Sequence, residues 1–141
     1  MIAEALLCLA LNVYHEARGE LTAGQIAVNH VVMNRVADTR YPDDVCGVVK
    51  QARHTKWDPV NPIRHKCSFS WWCDGKSDDP TNLDAWLISN QLATSVLYKV
   101  YPDITDGATH YHKIGYYPNW INDRGMVRVG LIGKHIFYRW E

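Results

Sequence analysis

Residues 2–20 read IAEALLCLALNVYHEARGE, and this stretch decides the architecture. From Ile2 to Ala17 the apolar character is nearly continuous, which predicts a helix buried on most of its sides, and Gly19 supplies a stop. The segment carries Glu4, lacks a cationic leader and is too short to span a bilayer, so it reads as a buried helix. Glu16 then falls at the lip of that helix, just before a turn. A carboxylate held there is partly desolvated, which raises its pKa and lets it donate a proton near neutral pH. The competing reading is an ordinary solvated glutamate at a helix end.

Working outward, Thr22 and Gln25 have the spacing of a capping box, so a second helix is expected to begin near Ala23. Its apolar positions Ile26, Val28, Val31, Val32 and Val36 recur at helical intervals, and Asp38 with Tyr41-Pro42 ends the run. Val45, Val48 and Val49 predict a short third helix over about 44–51. From Ala52 to Asp79 the helical signal vanishes. Pro59, Pro62 and Gly75 break the chain, and Trp57, Trp71 and Trp72 make this long loop unusually aromatic, which favours function over disorder. Pro80 suits a first helical turn, so a fourth helix is expected from there to Tyr101, burying Trp86, Leu87, Leu92 and Val96. Beyond Pro102, His110-Tyr111-His112 and the β-branched and aromatic stretch 126–140 read as short strands interrupted by Gly130 and Gly133. The fold class is α+β: one domain over residues 1–141, a helical body with a small C-terminal β-sheet.

Fifteen basic residues balance fifteen acidic ones, so no net field draws the chain to nucleic acid or to an anionic membrane. Six Trp and eight Tyr against two Phe favour rings with a polar edge, suited to stacking on sugar faces as well as to filling a core. Of the four cysteines, Cys8 reads as a packing residue on the first helix. A Cys46–Cys67 or Cys67–Cys73 bridge is open to the other three in an oxidising compartment.

The run Leu11–Glu20 resembles the start of the SleB/CwlJ-like cell wall hydrolase family. The resemblance continues through Gly24-Gln25-Ile26-Ala27-Val28, Asn34-Arg35-Val36, Tyr41-Pro42 and Val45-Cys46-Gly47-Val48-Val49. It then takes in Cys67-Ser68-Phe69-Ser70-Trp71, Gly107-Ala108-Thr109-His110-Tyr111-His112, Pro118 with Trp120, and Ile132-Gly133-Lys134-His135-Ile136-Phe137-Tyr138. The shared order of these pieces is a far more specific signal than any one of them. Ser68 departs from the pattern, since many members carry Gln there.

The resemblance implies a compact fold like a reduced lysozyme or transglycosylase, bacterial peptidoglycan as substrate, and Glu16 as the catalytic residue. It needs no cofactor or metal. Ordinary glycosidases use two carboxylates, whereas a lytic transglycosylase manages with one, closing the muramoyl 6-hydroxyl on C1 to give a 1,6-anhydro sugar. Glu20 reads as structural, pairing with Arg18 or capping the next helix, with direct catalysis as its alternative. Ser70, Thr109 and Tyr111 each offer a hydroxyl to hold Glu16 or the sugar, and Trp71 offers a stacking wall, against local packing for all four.

Three rival readings have their own residues. A zinc set would draw on His110, His112 and His135 or Cys67, although no His-Glu-x-x-His or Cys-x-x-Cys pattern occurs. A wall amidase or peptidase would need that zinc set, or Cys67 or Cys73 beside His112 or His135. A non-catalytic module would use the aromatic loop only to grip glycan. The chain is expected to act as a monomer. Its setting is either that of a phage endolysin, made in the host cytoplasm and released to the periplasm with the help of a holin, or that of a domain of an enzyme exported to the cell envelope.

Overall fold

The computed structural model describes residues 2–141. In chain order it has α1 (Ile2–Ala17), α2 (Thr22–Val36), α3 (Val45–Val49), a 3-10 turn at Ser70–Cys73 and α4 (Leu83–Leu97). The remaining elements are β1 (His110–Lys113), a second 3-10 turn at Asn119–Asn122, β2 (Met126–Ile132) and β3 (His135–Trp140). This is the α+β arrangement expected from the sequence. Among the described residues no helix is long and apolar enough to cross a membrane.

α1 is the hub of the helical body and packs against α2, α3 and α4. Its Leu9, Ala10, Val13 and Tyr14 are almost wholly buried. One face joins Cys8, Leu9 and Ala10 to Val32 of α2, Val45, Val48 and Val49 of α3, and Phe69 and Trp71. The other face carries Val13 and Ala17 onto Ala27, Val28 and Val31 of α2 and onto Phe137 of β3. Burying both faces explains why α1 shows so little polar interruption.

The sheet is antiparallel with order β1-β3-β2. β3 is the central strand, with His135 through Tyr138 all buried, and β2 meets it through a register irregularity between Arg128 and Gly130. At the β2–β3 turn Gly133 adopts φ +60, and an added Cβ there would stand 3.3 Å from the Gly24 Cα and 3.2 Å from a Glu20 carboxylate oxygen. The two glycines therefore let α2 and the hairpin touch almost backbone to backbone.

Three local expectations are corrected. Thr22 is the first residue of α2 rather than its cap; the cap position is Leu21, and Gln25 instead donates from its side chain to the Glu20 carbonyl. α4 starts at Leu83, because the Asn82 side chain accepts from the Ala85 N–H and sets the start three residues past Pro80. Leu87 faces solvent, while Leu92 and Val96 are buried as expected.

The cysteines pair as Cys8–Cys46 and Cys67–Cys73. The second bridge is one of the two expected. Cys8 is not a free packing residue, because the α1 face that carries it packs on α3 and brings Cys46 within a Cα–Cα distance of 5.3 Å.

The Cys8–Cys46 bridge closes a separation of 38 residues, a loop length at which a disulfide stabilises by about 2–4 kcal/mol. A Cys8→Ala/Cys46→Ala double variant should lose stability of that order in urea unfolding. A loss below about 0.5 kcal/mol, the size of an ordinary surface change, would show that the bridge does not brace α1 against α3.

Candidate active site

The C-terminal turn of α1 delivers His15 and Glu16 to a groove between the helical body, the sheet and the Ser70–Cys73 turn. Tyr111 of β1 donates from its hydroxyl to Glu16 Oε1 at 2.5 Å, 95 residues away in sequence. Burial raises the Glu16 pKa and is the dominant influence; the Tyr111 hydrogen bond and the charges of Lys113, His15 and Arg35 pull the other way. Burial also holds the Tyr111 phenol well above its ordinary value, with the Glu16 carboxylate adding to the effect. Tyr111 is thus a fixed donor.

What places Tyr111 is the last turn of α2. Asn34 donates to the Ala108 carbonyl at 3.0 Å, and Arg35 Nε donates to the Thr109 carbonyl at 2.7 Å, so two successive residues clamp the chain as it enters β1. The Arg35 guanidinium lies over the rings of Tyr41 and Phe69, 5.0 and 5.5 Å from their centroids. Neither Asn34 nor Arg35 was singled out from sequence. Their signal was the Asn34-Arg35-Val36 piece of the family pattern, whose partners lie more than 70 residues downstream.

The groove has two lobes that meet at His15, Glu16, Arg18 and Lys113. One, about 680 Å³, is lined by Ser68, Ser70, Trp71, Asp74, Tyr116 and Trp120 among others. The other, about 400 Å³, adds Glu20, Ile114 and Lys134. Ser70 and Tyr111 both line the larger lobe, with Ser70 exposed on its wall.

Trp71 reaches the groove in a different capacity from a free stacking platform. It is 6% exposed, its Nε1 donates to Asn12 Oδ1 at 2.9 Å, and His15 stacks on it with centroids 4.7 Å apart. It braces the wall that holds His15. The open rings of this lobe are Tyr116, 66% exposed, and the half-buried Trp120.

Thr109 is not brought to the groove. Its Oγ1 accepts from the Trp140 N–H and bonds His110 Nδ1, and its side chain borders a separate cavity beside Asn34 and Arg139. Thr109 precedes β1, and its hydroxyl is committed to His110 and, at the end of β3, to the Trp140 N–H. Its backbone carbonyl still serves the site, as the acceptor for Arg35.

Glu20 does not pair with Arg18. Its Oε1 accepts from the Lys134 N–H and from His135 Nδ1, each at 3.2 Å, both side chains being nearly buried. Burial lowers the His135 pKa despite Glu20 beside it, so the contact is a hydrogen bond to a neutral imidazole near pH 7. Arg18 instead donates to the Tyr14 hydroxyl. The structural reading of Glu20 fits this geometry: it ties the β2–β3 turn to the start of α2. Asp74, a groove carboxylate not singled out from sequence, accepts from the Lys76 N–H at 2.9 Å.

The ring nitrogens of His112 bond the Lys113 carbonyl and the Tyr138 hydroxyl. Cys67 and Cys73 are joined to each other, which removes the thiolate that a Cys–His reading required.

A family model described as Cell Wall Hydrolase matches residues 19–138. The spore cortex-lytic enzyme of Halalkalibacterium halodurans is 30% identical over 132 residues, covering 92% of this chain and 33% of that protein. The spore cortex-lytic enzyme of Oceanobacillus iheyensis is 31% identical over 136 residues, covering 92% and 39%. The chain therefore spans well under half the length of these relatives. Among solved structures, the catalytic domain of the Bacillus cereus SleB protein superposes with a TM-score of 0.64 at 27% identity, over 97% of this chain and 91% of that one. The catalytic domain of the germination-specific lytic transglycosylase SleB from Bacillus anthracis gives 0.69 at 26% identity, over 96% and 93%.

Two predictions follow from the two glutamates. Because the folded pKa of Glu16 is raised, its favourable contribution is present below the ordinary glutamate value and is lost as pH rises through the folded value. Glu16→Gln has no charge to bury, so its melting temperature relative to wild type should climb with pH across that window and level off above it. A difference that stays flat or falls would contradict the burial of the carboxylate. Glu20→Ala leaves the Lys134 N–H and His135 without their acceptor and should cost about 1–3 kcal/mol in urea unfolding. No loss of stability would show that Glu20 does not hold the turn.

Proposed function

Proceeding from the Cell Wall Hydrolase family, to which this chain belongs, we propose that it cleaves the glycan strand of bacterial peptidoglycan as a lytic transglycosylase, with Glu16 as its single acid/base. The observation that carries this reading is one partly buried carboxylate of raised pKa, held by Tyr111 at the junction of two groove lobes. The domain-level likeness to a protein described as a lytic transglycosylase supports it.

The protonated Glu16 donates to the glycosidic oxygen between N-acetylmuramic acid and N-acetylglucosamine as the bond to C1 breaks. The resulting carboxylate then takes the proton of the muramoyl 6-hydroxyl as that oxygen closes on C1. The product is a 1,6-anhydro sugar and no water enters. Burial favours the acid form, while the Tyr111 hydrogen bond steadies the carboxylate after the proton has left. Oε1 is engaged by Tyr111, so Oε2 is the oxygen that exchanges the proton. Ser70, Tyr116 and Trp120 are the groove residues placed to meet sugar by hydroxyl and ring face.

The mechanism asks nothing of a second carboxylate, in keeping with the engagement of Glu20 by the β2–β3 turn and of Asp74 by its own loop. The same chemistry serves an endolysin released with a holin's help or the catalytic part of an exported enzyme, acting in either case as a monomer on the wall.

Glu16→Gln should fold and still bind glycan while cleavage falls by at least ~10²–10⁴-fold, the contribution of general acid–base catalysis. Mass spectrometry of wild-type products should show 1,6-anhydromuramoyl ends. An active Glu16→Gln enzyme would overturn the assignment. Ordinary reducing ends from the wild type would keep Glu16 as acid but change the reaction to hydrolysis, with Asp74 the groove carboxylate to test next.

A further inference from the structure

The smaller lobe shares Arg18 and Lys113 with the larger one, which also carries Lys76, and it adds Lys134, Ile114 and Glu20 where the larger lobe has aromatic rings. Besides Glu16 and His15 its walls are Arg18, Lys113, Lys134, Ile114 and Glu20. With Glu16 protonated, three cations face one carboxylate, and that carboxylate is engaged by the Lys134 N–H and His135. In a chain whose charges sum to zero, this is a local concentration of positive charge beside the reacting centre.

The backbone fixes the two lysines next to each other. Lys113 pairs with His135 across β1 and β3, and the Ile114 N–H donates to the Lys134 carbonyl at 3.1 Å. Both are exposed, and among the described residues neither takes part in an ion pair. Lys113 also opposes the burial that raises the Glu16 pKa, an effect that depends on Glu16 alone and not on what charge the substrate carries. Ile114, 54% exposed, adds an apolar patch at the same lip.

We propose that the lobe formed by Arg18, Lys113, Lys134 and Ile114 binds a carboxylate-bearing substituent of the muramoyl residue, and so makes the enzyme selective for strands that carry that negative charge. The inference rests on the peptidoglycan reading above. In that substrate the sugar rings are neutral, and the anionic groups are the carboxylates of the peptide stem or, where the stem has been removed from the lactyl amide, the lactyl carboxylate itself. A short acyl chain ending in a carboxylate matches an apolar lip followed by three cations. The aromatic lobe would hold neutral sugar on the other side of Glu16.

Three forms of one wall preparation separate the possibilities: intact stems, stems removed by an amidase so that only the lactyl carboxylate remains, and stems whose carboxylates have been capped as neutral amides. At low salt the wild type should prefer intact over capped walls in kcat/KM by about three- to tenfold, the scale of one or two solvent-exposed charge contacts. The preference should shrink as salt screens those contacts. In a Lys113→Gln/Lys134→Gln variant the ratio should fall toward one. The ratio is the readout because any effect of Lys113 on Glu16 acts on both substrates alike. Stripped walls cut like intact ones would show that the lobe accepts the freed lactyl carboxylate in place of a stem carboxylate, and stripped walls cut like capped ones would assign recognition to the stem alone. A wild type indifferent to capping, or a double variant that keeps the wild-type ratio, would overturn the inference. Failure of the wild type to cut any of the three forms would overturn the catalytic reading itself, and the inference with it.

Discussion

A hydrogen bond from the Tyr111 hydroxyl to the Glu16 carboxylate, 2.5 Å long, joins the end of the first helix to the first strand of the sheet. Much of the rest of the molecule is arranged around that contact. α1 must be buried on both faces to hold its last turn rigid, and it is. β1 must enter at a set height, and Asn34 and Arg35 fix it by gripping two successive carbonyls. The β2–β3 turn must stay against α2, and Glu20 with the Gly24–Gly133 approach keeps it there. Each of these is an arrangement of backbone and buried polar groups, so the site is rigid before substrate arrives.

The same contact sets an electrostatic balance. Desolvation favours the acid form of Glu16, while the phenol and the neighbouring cations favour the carboxylate. Under the proposed mechanism Glu16 first gives and then takes a proton, which a pKa near the working pH serves best. Burial pushes it up, and the Tyr111 bond opposes that push. The lobes share Arg18 and Lys113; the larger adds aromatic and hydroxyl groups with Asp74 and Lys76, the smaller Lys134, Glu20 and a single isoleucine.

Much of this was legible in the sequence where the determining interaction is local or periodic. The apolar run of α1, the valine spacing of α2 and α3 and the β-branched and aromatic content of 126–140 each correspond to elements found. Glu16 and Tyr111 became candidates through the order of short pieces shared with the cell wall hydrolase family. What sequence did not show depends on partners far along the chain. The grip of Arg35 on Thr109, the tie of Glu20 to His135 and the Asn12–Trp71 bond are separated by 74, 115 and 59 positions. The Cys8–Cys46 pairing likewise requires knowing that α1 lies on α3. For Trp71 the sequence left a stacking wall and local packing both open, because an aromatic loop looks the same whether its rings face sugar or core. The Thr22–Gln25 spacing suggested a cap, yet Gln25 finds its acceptor in the Glu20 carbonyl and leaves Leu21 at the cap position.

The central claim is that Glu16 is a carboxyl group whose proton is retained by burial and restrained by Tyr111. Carbon-13 titration of the glutamate side chains tests it directly, with Glu16→Gln identifying the resonance. The account predicts a midpoint above the ordinary glutamate value, moving further up in Tyr111→Phe because the lost hydrogen bond had favoured the carboxylate. A midpoint at or below the ordinary value, or one that Tyr111→Phe leaves in place or lowers, would contradict it.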